Sequence, residues 1–155
     1  FSKIYYDSPG VDNRTNLSLN REYVQITNTG RRSINLTGWT LRDTSRHILA
    51  LTGRLPAGKT TTVHTGRGTN GQPAQHRYWQ SRAYVWNNTG DTAILRDSRG
   101  TQVDSCTWAR DEDFTRCEPA PVPTRTVPPA TAVTAIPTST STSAEPGVEP
   151  PALEG

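Results

Sequence analysis

The chain has 155 residues, of which 32% are hydrophobic, and a formal net charge of +3. That length admits one domain with some chain to spare, and the apolar share is low for a chain folded throughout. No run approaches the roughly 20 apolar residues of a membrane-spanning helix, so no transmembrane segment is expected.

Strand signals dominate in chain order. "KIYYD" (3–7) reads as a first strand. "EYVQIT" (22–27) alternates and ends at Asn28-Thr29-Gly30, a turn signal. "SINLTGWTLRD" (33–43) alternates with a phase shift at Gly38, which predicts a bulge. "HILAL" (47–51) and "KTTTVHT" (59–65) follow, separated by a turn at Pro56 and Gly58. After a Gly-rich loop come "RAYVWN" (82–87), "TAILRD" (92–97) and "TQVDSCTW" (101–108). No stretch shows helical periodicity of helix length. Seven or eight short strands with regular turn signals predict an all-β, antiparallel β-sandwich. Its expected core is Val24, Ile26, Leu36, Trp39, Leu41, Val63, Val85, Val103 and one of the adjacent pair Ile94 and Leu95.

Composition changes after Cys117. Residues 118–155 are dominated by Pro, Thr, Ser, Ala and Val with no aromatic residue, too little apolar surface to offset the entropy of ordering. The expected organisation is a domain over 1–117 and a disordered linker or tail over 118–155. Charge divides the same way. The domain carries 16 Lys and Arg against 10 Asp and Glu, a formal +6, and the tail carries 1 against 4. A basic domain eases contact with phosphates or acidic polymers; an Arg-rich soluble surface is the plainer reading.

The two cysteines, Cys106 and Cys117, lack CxxC spacing, and no further Cys completes a zinc site. A disulfide tying the last strand to the start of the tail is the preferred reading, with two buried thiols as the alternative. A chain that starts at Phe1 and contains no methionine reads as a processed protein or a cut segment. With a disulfide, the expected location is extracellular or at the cell surface.

Four blocks, "LNREYVQITNTGRRSINLTGWTLRD", "LPAGKTTTVHTGRGTN", "YWQSRAYVWNNTGDTAILRD" and "GTQVDSCTW", together resemble a lamin tail domain over about residues 3–108. The form resembled is the bacterial one found in secreted actinobacterial proteins. The resemblance implies an immunoglobulin-like fold. No heptad repeat accompanies it, so filament formation through a coiled coil is not expected. The phrase Asn-Thr-Gly … Leu-Arg-Asp occurs twice, at 28–43 and 88–97. It reads as a strand–turn device: a left-handed-tolerant turn, a core leucine, an outward Arg and a turn-forming Asp.

Reactive motifs are missing: no G-x-S-x-G, no H-E-x-x-H, no P-loop. His47, His64 and His76 are scattered without ligand spacing, and the carboxylates of 7–13 and 110–114 match no calcium loop. No enzyme activity, cofactor or metal is expected. The candidate binding surface lies in "RGTNGQPAQHRYWQSR" (67–82), where Arg67, His76, Arg77 and Arg82 interleave with Tyr78 and Trp79 on a long polar loop. Such a mixture suits a protein partner or cell-surface polymer, or single-stranded nucleic acid with rings stacked on bases. The competing reading has Tyr78 and Trp79 entering a strand and packing inward. The expected function is a monomeric, non-enzymatic binding or tethering module of an exported protein. A nucleic-acid-binding accessory domain is the alternative.

Overall fold

The computed structural model describes residues 1–72, 74–109 and 112–117. The tail expected over 118–155 lies outside the described residues.

β1 (Lys3–Tyr5) is followed by α1 (Asn16–Arg21), β2 (Tyr23–Thr27), β3 (Ile34–Asn35), β4 (Thr40–Arg42), β5 (Ile48–Ala50) and β6 (Arg54–Leu55). Then come β7 (Thr60–His64), β8 (His76–Tyr78), β9 (Asp91–Arg96), β10 (Gln102–Trp108) and β11 (Phe114–Arg116). They form a five-stranded sheet, β11-β1-β2-β7-β8, a four-stranded sheet, β10-β9-β4-β5, and the short pair β3-β6. Every pairing is antiparallel except β7 with β8, which run parallel. The loop at 65–75 returns the chain so that β8 starts beside Thr62.

Alternation sets the core. Ile4, Val24, Ile26 and Val63 point inward from one sheet, and Leu41, Ala93, Leu95, Cys106 and Trp108 from the other. Each fully buried Leu contributes about 2 kcal/mol of hydrophobic stabilisation. The repeated phrase is explained by position. Its two copies end on β4 and β9, which are neighbours, and Leu41 faces Leu95 across the ladder. Asp43 and Asp97 then each accept from backbone N–H groups of the following turn, His47 for one, Arg99 and Thr101 for the other.

Several expectations need correction. "RAYVWN" is not a strand: Val85 and Trp86 are both buried although adjacent, and their N–H groups donate to the Glu22 carboxylate rather than to a neighbouring strand. Val103 is 43% exposed, because the inward phase is set by Cys106 and Trp108 and the register shifts between Gln102 and Asp104. Of the pair 94/95, Leu95 is the core residue, and Trp39 is half-buried against the core. Gly38 lies in a turn at φ +84° rather than in a bulge. Gly90 takes a positive φ, but Gly30 does not; there Asn28 Oδ1 accepts the Gly30 N–H and its amide donates to Arg32 and Leu55 carbonyls. One short helix, α1, was not anticipated; Thr15 caps it by accepting from Ser18 N–H.

Cys106 and Cys117 form a disulfide with a Cα–Cα distance of 5.7 Å. It joins β10 of the four-stranded sheet to the residue after β11, at the edge of the five-stranded one.

Candidate binding site

The segment 67–82 is built on β7, β8 and the loop between them. Helix α1 fixes the loop's start. Asn16 accepts from the Arg67 N–H at 2.7 Å and donates to the Arg67 carbonyl, to which Asn20 also donates. The Gln80 side chain clamps Gly68 in the same manner. Gln80 N–H donates to Gly66 O and Ser81 N–H to Thr65 O, both at 3.0 Å, so the segments carrying Arg67 and Arg82 run side by side. Both arginines are exposed.

The other four residues are engaged with the protein itself. Arg77 donates to the Thr52 carbonyl at 3.0 and 3.2 Å and to Thr61 Oγ1. Burial holds its guanidinium below the usual range. Tyr78 donates to the Gln72 carbonyl and stacks on His64 at 5.2 Å. Its ring approaches Gly68 so closely that a Cβ there would lie 2.4 Å away. Trp79 packs against the core, edge-on to Trp86 at 5.6 Å, which is the inward packing weighed against binding. Tyr78, by contrast, faces outward, yet its ring is covered by His64 and the loop backbone.

His76 meets a residue the sequence left apart. Its Nδ1 lies 2.8 Å from His64 Nε2, and His64 Nδ1 lies 2.7 Å from the Asn20 carbonyl. A carbonyl only accepts, so His64 carries its proton on Nδ1 and, when neutral, accepts at Nε2 from His76 Nδ1–H. Burial keeps the His64 pKa low, which favours that neutral form, and His76 lowers it further. The remaining lone pair is on His76 Nε2. Among the described residues neither ring bonds a Ser, Cys or acidic side chain, so the nucleophile–base pattern is not assembled here. Among them, too, no group of three His, Cys, Asp or Glu is placed to hold a metal.

Beside Arg77 a polar cleft of about 230 Å³ is lined by Thr52, Gly53, Asn70, Gly71 and Gln75. Gln75 Oε1 is buried with no partner among the described residues, and Gln75 takes φ +65°. A larger apolar cavity, about 430 Å³, opens between the sheets near Phe1, with Ile26, Leu36, Trp39 and Leu95 in its wall.

One buried group escaped the sequence reading. Glu22 is fully buried; its Oε1 accepts from Thr65 Oγ1 at 2.5 Å, Val85 N–H at 2.9 Å and Trp86 N–H at 3.3 Å, while Oε2 has no partner among the described residues. Burial pushes its pKa up to about 7 against those donors. Its signal was phase: Glu22 shares the inward parity of Val24 and Ile26.

Two facing sheets, mostly antiparallel, sharing one core and stapled across by a disulfide, define an immunoglobulin-like β-sandwich. The Lamin Tail Domain family model matches residues 1–110, and the chain belongs to that family, whose domains are non-catalytic. No curated protein matches the chain.

Proposed function

We propose that this lamin tail domain is a non-enzymatic binding and tethering module of an exported protein, presenting its sandwich to a protein or cell-surface polymer. The observation that carries the reading is the pair Arg67 and Arg82, exposed on segments whose backbones are locked by Asn16, Asn20 and Gln80. Rigid placement lowers the entropy lost when such side chains engage a partner. The disulfide supports an oxidising destination, and the Pro/Thr-rich composition of 118–155 suits a spacer. The nucleic-acid alternative keeps its electrostatic support but loses ring stacking at Tyr78 and Trp79, whose faces are taken.

Co-sedimentation of the protein with isolated bacterial cell envelopes tests this. Retention is expected to fall several-fold in the double variant Arg67→Glu/Arg82→Glu, with the thermal midpoint unchanged. Equal retention of both proteins, or none of either, removes the proposal.

A further inference from the structure

The outer face of the five-stranded sheet holds a second arrangement, anchored at the edge opposite the loop. Strand register places Phe114, Tyr5, Tyr23, His64 and Tyr78 in one row across β11, β1, β2, β7 and β8. Neighbouring rings in that row meet at centroid distances of 5.8, 5.5, 6.0 and 5.2 Å, so their faces and edges are spent largely on one another. The adjacent row on the same face is polar: Arg116, Lys3, Gln25, Thr62 and His76. At the ordinary strand spacing it runs about 19 Å.

Lys3 and Arg116 sit directly opposite each other in this row. Like charges so placed repel. The Lys3 ammonium lies 4.1 Å from the centroid of Phe114 and 5.0 Å from that of Tyr5, and the Arg116 guanidinium lies 5.8 Å from Phe114. Those rings attract the cations but supply no net negative charge. The ion pairs among the described residues are Phe1–Asp104 and Asp43–His47, and neither cation joins one. Among the described residues, two cations are therefore held side by side with neither in an ion pair.

We propose that Lys3 and Arg116 seat a phosphodiester group of a linear polyol-phosphate or sugar-phosphate polymer, whose chain continues along Gln25 and Thr62 toward His76. A bridging oxyanion removes the repulsion between the two cations. Arg116 offers paired N–H donors and Lys3 a point charge, the combination that phosphate recognition uses. Because the aromatic row is self-stacked, the site reads the phosphate and the polar chain, with no contribution from a stacked base.

The test is calorimetric titration of the full chain with a synthetic glycerol-phosphate oligomer at low salt, beside oligo-dT of equal phosphate count. The oligomer is expected to bind, and Lys3→Gln and Arg116→Gln are each expected to weaken it about tenfold, as loss of one charge-assisted contact does. Lys3→Arg should restore binding, and Arg99→Gln, at an exposed turn, should leave it intact. Three results overturn the proposal: no binding, binding that neither Lys3→Gln nor Arg116→Gln weakens, or tighter binding of oligo-dT than of the glycerol-phosphate oligomer. The envelope assay depends on Arg67 and Arg82 instead, so the two proposals fail separately.

Discussion

Glu22 joins three chain segments through one oxygen. The Thr65 hydroxyl and the Val85 and Trp86 amides all converge on Oε1, while Oε2 is buried without a described partner. A neutral carboxyl suits that pocket better than a carboxylate, and burial raises its pKa from 4.5 to about 7. The sign follows from proton uptake. Between pH 4.5 and 7 the folded state holds a proton that the unfolded chain has released, so folding stability falls as pH rises through this window and levels off above it. A shift of this size corresponds to roughly 3 kcal/mol. His64, lowered by burial, acts in the opposite direction: its contribution is present above its ordinary value of 6.5 and is lost as pH falls through its folded value. A comparison with Glu22→Gln isolates the carboxyl. The stability of that variant relative to the parent should rise by roughly 3 kcal/mol from pH 4.5 to pH 7.5 in urea denaturation. Parallel pH curves for the two proteins would show that Glu22 does not titrate in this range.

Among elements, the long alternating ones were legible, and the short strands β8 and β11 were not. β2, β7 and β9 each keep strict inward–outward alternation over five or six residues, which is the pattern the sequence displays. β8 and β11 have three residues each and no phase of their own; pairing with β7 and β1 makes them strands. α1 is six residues, too short for a helical period to show, and only its Thr15 cap and its contacts hold it. The candidate site was legible as composition but not as exposure. Nothing local told that Arg77 would reach the Thr52 carbonyl or that His64 would lie against His76. β11 also depends on a covalent link. Three ladder positions and the Cys106–Cys117 bond hold it in place, and Arg116 rides on it. Closing a loop of this size contributes about 2–3 kcal/mol in the chain-entropy account. The double variant Cys106→Ala/Cys117→Ala should lose about that much stability. Its amides at 112–117 should exchange with solvent well ahead of those in β2 and β7. Unchanged protection of 112–117 would mean that the ladder alone secures the strand.

At the scale of the whole molecule, the described residues from Phe1 to Cys117 fall in one compact unit. Among the described residues, every member of the hydrophobic core lies between Phe1 and Trp108, and Cys117 packs against it. Within the same span the disulfide ties the two sheets together on one side, and Glu22 with its three donors ties the ends of β2 and β7 to the segment at Val85 and Trp86. Cooperative unfolding is a property of a shared core, and the core of the described residues draws on both sheets ahead of the Pro/Thr-rich sequence. A chain ending at Val122 should therefore unfold in one transition, with a thermal midpoint within about 2 °C of the full-length chain, since a difference of even 1 kcal/mol moves the midpoint of a domain this size by several degrees. The same truncation removes three acidic residues and one basic residue and leaves residues 1–122 with a formal +5, against +3 for the full chain. Affinity for the glycerol-phosphate oligomer should then rise at low salt and match that of the full chain at high salt, where the distant charges are screened. A midpoint lowered by 5 °C or more would place part of the stabilising contact beyond Val122 and redraw the domain boundary.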